Sequence, residues 1–260
     1  MNKLFYYFND FLKFRFLLEE LVRRDLVVKY KRSVLGILWS ILQPLFIMSV
    51  MVIVFSQLFK SNVPYYSIYV LIGKIMWDLF SQTTTFGMNA IIDSSDLLKK
   101  IYIPKYIFPL SKSIYAVINC FLSMIGLFAL LILLKVPLSF NIFFIIFPIM
   151  YMFLFSLGLA YFLSTYTVFF RDISYLFDII SVAWMYLSAL FYTPDILREY
   201  SYLLYFNPVY RCIEMFRDIV LYQKIPTIEN HIINLLIGLL TLFLGLYVLK
   251  RNQDKFILYF

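Results

Sequence analysis

Seven glycines, two cysteines and one histidine in 260 residues leave few groups from which a redox or hydrolytic centre is built. No G-x-x-x-x-G-K-[S/T] run occurs, so this chain has no P-loop to cradle nucleotide phosphates. Cys120 and Cys212 stand far apart without C-x-x-C or Cys/His spacing. They indicate neither a disulfide framework nor a metal site, and they leave the redox compartment open. No stretch is rich enough in Pro, Gly and Ser to be a linker, and no internal repeat is present. A single domain, residues 1–260, is expected.

What fills the chain instead is apolar: 63% of residues are hydrophobic, in blocks about as long as a bilayer is thick. The reading is an all-α polytopic membrane protein with six transmembrane helices, near 35–59, 65–92, 107–134, 142–170, 173–192 and 232–249. More than thirty mixed and charged residues precede the first long run, so a retained, cytoplasmic N-terminus is expected rather than a signal peptide. The formal charge of +8 does not point to nucleic acid, because the cations cluster beside apolar blocks. Sixteen Lys and Arg fall in 1–33, 93–112, the turn at Arg171 and the tail 250–260, against six on the other side, with Lys74 inside a span. The positive-inside rule places the sixteen, and both termini, in the cytoplasm.

Two segments do not read as spans. In the cytoplasmic N-terminus, 1–33, Phe11, Phe14, Leu17, Leu18, Leu21 and Val22 share one helical face, opposite Lys13, Glu20, Arg23 and Arg24. That predicts an amphipathic helix lying in the cytoplasmic interface. Residues 193–230 are broken by Pro194, Pro208 and Pro226 and predict two short helices, a re-entrant extracytoplasmic pair. In the second of them Val209, Ile213, Phe216 and Val220 share a face, with Asn207 as cap and Pro208 in the first turn. Cys212 is expected to be accessible there beside Arg211 and Arg217, and Cys120 to be shielded.

Charge inside the membrane is costly, so Lys74 and Asp78, one turn apart in the second span, are candidates to face a conduit as well as to pair with each other. In the loop DSSDLLKKIYIP, Ser94 or Ser95 can cap a short helix carrying Leu97, Leu98 and Ile101 outward. Exposed to water these would form an apolar patch, which predicts a partner. Tyr and Phe exceed what two interfacial belts require, and rings offer flat, register-tolerant partners for sugar C–H faces.

YKRSVLGILWSILQP (30–44), GKIMWDLFS (73–81), LLKKIYIPKYIFPLS (97–111), FFRDI (169–173) and NPVYRCIEMFRDIVL (207–221) together resemble consecutive landmarks of bacterial ABC exporter permeases. The subgroup resembled exports O-antigen, capsular polysaccharide or teichoic acid. The resemblance implies a homodimeric half-transporter in the bacterial cytoplasmic membrane, with two copies of a separate ATPase subunit that hold ATP and Mg. It implies a polyprenyl-pyrophosphate-linked glycan as substrate, no cofactor or metal in this chain, and no catalytic residue. Lys74 departs from the family, where an apolar residue is usual.

On that basis Ser94, Ser95, Asp96, Leu97, Leu98, Lys99, Lys100 and Ile101, with Arg171 and Asp172 in a second loop, are expected to receive the ATPase. Arg23, Arg24, Lys29, Lys31 and Arg32 are expected to meet the lipid pyrophosphate, alongside anionic membrane lipids. Tyr66, Tyr69, Lys74, Trp77, Asp78, Phe80, Tyr161, Tyr166, Trp184 and Tyr192 are the channel-lining candidates. Asn207, Pro208, Arg211 and Arg217 are assigned to the gate. The alternatives are a permease of the same fold for a drug or other small hydrophobic molecule, and a membrane glycosyl- or acyltransferase. The second would need a His/Asp/Glu cluster, and no paired carboxylates line up with His231.

Overall fold

A computed structural model describes residues 3–31, 33–59, 64–137 and 139–259, and among them every regular element is helical. The chain opens with α1 (Lys3–Tyr30), a single 28-residue helix. Gly36, at φ 51° in the left-handed region that glycine adopts freely, turns it into α2 (Leu38–Phe59). Then follow α3 (Tyr66–Asp93), the single turn α4 (Ser95–Leu98) and α5 (Ile107–Leu133). A 3-10 segment, Phe140–Ile145, leads into α6 (Ile146–Phe169), and only Phe170 and Arg171 separate that helix from α7 (Asp172–Tyr186). A second 3-10 run, Pro194–Phe206, precedes α8 (Pro208–Val220) and α9 (Ile228–Asn252).

Among the described residues four helical stretches are long and apolar enough to cross a membrane: Leu38–Phe55, Ile107–Leu133, Phe140–Phe169 and Ile228–Phe256. The chain is polytopic. Helix α3 has the length but carries Lys74, Asp78, Gln82 and Asn89. Helix α7, with 15 residues, reaches only about 22 Å; it is buried at Phe177 and Ser181, half-buried at Ile173, Ser174, Trp184 and Met185, and exposed elsewhere. Its predicted continuation to Tyr192 is absent: the chain turns at Ala189, φ 48°, and Ala189, Leu190 and Phe191 are buried in that turn.

Helix α3 is the axis of the bundle, packed between α5 and α6, and its residues Ile68, Val70, Leu71, Ile72, Ile75 and Met76 are fully enclosed. The closest helix pair is α6 with α9. A side chain at Gly158 or at Gly245 would collide with the backbone of the facing helix, so only glycine permits this approach.

A second apolar layer closes the basic end. Leu18 and Leu21 of α1 cluster there with Ile91, Leu98, Ile103, Ile107 and Phe108. The apolar face of α1 is thus partly taken up by the bundle: Leu18, Leu21 and Val22 are buried, and the helix packs along α5. Phe11, on the predicted face, lies outside the residues whose side chains are described.

Candidate functional site

Of the α3 positions from Ser67 to Asn89, Ser67, Lys74, Asp78, Ser81, Gln82, Thr85 and Asn89 are half-buried and Phe86 is exposed, while the rest are buried. The half-buried ones are all polar, and from Lys74 they recur every three or four residues, which is one face of a helix. An apolar solvent would select the reverse pattern, since each polar group facing hydrocarbon costs free energy. Lys74 donates to the Asp78 carboxylate, and both side chains keep partial exposure, 17% and 25%.

One turn toward the basic end the stripe joins a polar junction of four helices. Gln82 Oε1 accepts from Asn119 Nδ2 of α5 at 3.2 Å. Asn119 Oδ1 accepts from Lys29 Nζ of α1 at 3.0 Å and from Ser40 Oγ of α2 at 3.2 Å. Lys29 also lies 5.6 Å from the Tyr115 ring centre. Burial of its ammonium end lowers the Lys29 pKa from the ordinary lysine value, while the nearby Asp78 carboxylate opposes the shift.

The residues expected at a lipid headgroup therefore separate. Arg23 and Arg24 are exposed, loosely paired with Glu20 at 3.7 Å and Asp25 at 3.2 Å, and Lys31 is exposed. Lys29 is exposed along its stem as well, but its ammonium bonds to Asn119 and Ser40 of the bundle, and Arg32 lies outside the described residues. Asp25 also binds Lys112 of α5 at 2.8 Å, a second tie between α1 and the bundle.

The loop expected to meet an ATPase forms the one-turn α4. Ser94 stands at its N-cap, but its hydroxyl makes no capping bond, which corrects that expectation. Asp96, Lys99, Lys100 and Ile101 are exposed and Ser95 is half-buried. Leu98 turns inward with Ile103, and Leu97 is half-buried beside them. The outward apolar groups are Ile101 and Tyr102, 52% and 82% exposed, and Tyr102 was missed in the sequence because it follows the one-turn helix. Arg171 and Asp172 are both exposed at the α6–α7 turn.

At the opposite end, three polar clamps hold α8. Asn207 Oδ1 caps the helix at Val209 and Tyr210 and accepts from Trp184 Nε1 at 2.9 Å, while its Nδ2 donates to Ser188 Oγ and the Leu187 carbonyl. Arg211 donates to Asn230 and Asn234 of α9 and to the Tyr205 carbonyl. Arg217 is fully buried and donates to the carbonyls of Tyr69, Ala189 and Leu190, with its guanidinium 3.4 Å above the Tyr69 ring centre.

Glycine at 73 makes room for this: a Cβ there would stand 3.0 Å from Arg217 Nη2 and 3.2 Å from the Leu190 carbonyl oxygen. The predicted apolar face of α8, Val209, Ile213, Phe216 and Val220, is buried against α3. Cys212 is buried in the same layer, 2% exposed, so the expectation of an accessible thiol beside an aqueous cavity is corrected.

The aromatic candidates also scatter. Trp77, Phe80 and Tyr161 are packed inside the protomer, where Phe80 meets Phe155 and Trp184. Tyr66 and Tyr69 give their hydroxyls to the carbonyls of Phe191 and Tyr192, and Tyr192 bonds the Tyr186 carbonyl. Tyr166 is half-buried against Phe162. Missed in the sequence were Ser40, Gly73, Gln82 and Asn119; the Lys74, Asp78, Gln82 spacing was the available signal for one of them.

Residues 17–221 match the family model described as ABC-2 type transporter. An O-antigen export system permease protein of Myxococcus xanthus is 25% identical over 253 residues, covering 95% of this chain and 96% of that one. A Klebsiella pneumoniae protein of the same description is 24% identical over 245 residues, covering 92% and 93%. A capsule polysaccharide export inner-membrane protein of Neisseria meningitidis is 25% identical over 240 residues, covering 89% of each chain. The matched region takes in α2 through α8, including the polar stripe and the clamped helix, and the chain belongs to the ABC-2 type transporter family as a membrane permease subunit whose ATP is bound by a separate ATPase subunit.

Proposed function

We propose that this chain, paired with a second copy of itself, forms the membrane conduit of an ATP-driven exporter of a lipid-linked polysaccharide. The observation that carries the reading is the polar stripe of α3, which other helices cover only in part. A conduit for a hydroxyl-rich polymer needs such a surface, whereas a route for a small hydrophobic molecule does not. The names of the relatives, O-antigen and capsule export permeases, point to the same cargo class.

In this reading the four long apolar helices, α3, and α7 with the turn after it make six crossings. The Pro194–Phe206 run and α8 form the re-entrant extracytoplasmic pair. Both termini lie in the cytoplasm of a bacterial inner membrane, in keeping with sixteen cations on one side against six. The exposed residues around α4, with Ile101 and Tyr102 outermost, and the Arg171–Asp172 turn receive one ATPase subunit on each copy. Arg23, Arg24 and Lys31 meet the pyrophosphate of the arriving lipid, where Arg and Lys pair naturally with phosphate. Lys29 fixes that platform to the conduit wall.

Reconstitution tests the reading. In proteoliposomes the chain with its ATPase subunit should carry polyprenyl-pyrophosphate-linked glycan across the bilayer when ATP is added, and the chain alone should neither hydrolyse ATP nor move the glycan. ATP hydrolysis by the pure single chain, or a complex that moves small hydrophobic dyes and no glycan, overturns it.

A further inference from the structure

The stripe is not uniformly polar, because it contains one ion pair, and that pair is compensated unequally. Asp78 has a second cation within electrostatic reach. It lies one turn from Gln82, which is joined through Asn119 to the Lys29 ammonium, and the Asp78 and Lys29 charges interact. Among the described residues the one carboxylate bonded to Lys74 is that of Asp78. Separation of the pair therefore leaves Asp78 with a neighbouring positive charge and leaves Lys74 with none. A ligand that draws the pair apart at low cost is one that replaces the carboxylate at Lys74.

Reach gives the same direction. Asp78 sits on a short stem close to the helix backbone, while Lys74, on the same half-buried face, carries its charge on a flexible four-carbon chain that can swing outward. The three groups, two cations and one anion, also sum to a surplus positive charge beside a low-dielectric wall. Such a surplus is stabilised when an anion passes.

We propose that Lys74 is a substrate-contacting residue that selects for anionic groups, carboxylate or phosphate, on the moving polymer. Asp78 is a positioning residue that parks the ammonium between successive groups, and the Lys29 charge, fixed by Asn119, offsets the Asp78 carboxylate when Lys74 leaves. This rests on the conduit reading above and adds the charge class of the cargo to it.

The test uses the full permease–ATPase complex in nanodiscs and reads stimulation of ATP hydrolysis by three probes: an oligogalacturonate, a neutral dextran oligomer of equal length, and inorganic pyrophosphate. The wild-type complex should respond to the oligogalacturonate at a concentration at least about tenfold lower than to dextran, and Lys74→Gln should bring the two probes to parity. Lys74→Arg should keep the preference. Asp78→Asn, which frees the ammonium, should strengthen it, and this second variant serves if Lys74→Gln fails to assemble with the ATPase.

Equal preference in wild type and Lys74→Gln, with both probes active, sinks the role of Lys74 and leaves the conduit reading standing. A Lys74-dependent response to pyrophosphate but not to oligogalacturonate reassigns the cation to the lipid headgroup and overturns the polymer proposal. No response of the wild type to either oligosaccharide counts against the conduit reading itself, and the proposal falls with it.

Discussion

The two faces of α3 in its first third carry the same kinds of chemical group and treat them in opposite ways. At Tyr69 and Gly73 the helix meets a buried arginine whose donors go to backbone carbonyls of three residues. One position further, at Lys74, the helix shows an ion pair that other helices leave partly open. The first arrangement fixes three segments relative to each other, since a planar guanidinium with several donors is satisfied in one geometry. The second leaves a flexible ammonium held by a single carboxylate at a half-buried face. Polar groups in this bundle therefore serve as structure where they are enclosed and as surface where they are not, and the boundary runs between neighbouring residues of one helix.

The comparison breaks first at Arg217. Its replacement by methionine keeps most of the volume and removes the guanidinium from the carbonyls of Tyr69, Ala189 and Leu190. The expected cost is about 3–5 kcal/mol, the range for removing one member of a buried charged network. It should appear as a large drop in thermal stability of the detergent-purified protein and as protease cleavage in the 187–206 segment. Unchanged stability would mean that α8 is held by its apolar face alone.

A smaller loss is expected for Gly73→Ala. The added methyl meets Arg217 Nη2 and the Leu190 carbonyl oxygen at 3.0 and 3.2 Å, tighter than ordinary contact. Overpacking of this kind costs about 1–3 kcal/mol. Pairing it with Arg217→Met in a double-mutant cycle sharpens the comparison, because the clamp account predicts strong coupling between the two changes and additivity if they act separately.

Much of the bundle was legible because long apolar runs with helical spacing leave few alternatives. The third helix was read as 65–92 and found as Tyr66–Asp93, and the fifth ends one residue from its expected limit. Asn207 with Pro208 announced the start of α8 by cap and first-turn chemistry, and the side chain caps as expected. The overrun of α7 has a plain cause: LSALFY, 187–192, is as apolar as a span, and only its docking against Tyr66, Tyr69 and Arg217 turns it into a loop.

The roles of Arg217 and Lys29 were not legible at all. Their partners are backbone carbonyls up to 148 residues away and an asparagine 90 residues away, and no local pattern marks such pairs. The outward-facing aromatics failed for the opposite reason. Ring content is visible in a sequence, whereas which ring faces out depends on which helices cover it. The polar stripe was half-read, at Lys74 and Asp78, and its extension through Gln82, Thr85 and Asn89 follows the same spacing.

Substitutions along that half-buried stripe should cost the fold less than those at Arg217 or Gly73, and this makes the stripe open to direct probing. Cys120 and Cys212 are both buried, so labelling of the native thiols contributes little background. The measurement is a cysteine scan of α3 from residue 67 to 89 in the assembled permease–ATPase complex, labelled with a membrane-impermeant thiol reagent. The account predicts labelling at 74, 78, 81, 85 and 89, with none at 71, 75, 79 or 83. Uniform protection of the stripe, or labelling that follows the buried positions instead, would contradict the claim that this face of α3 lines a hydrated path.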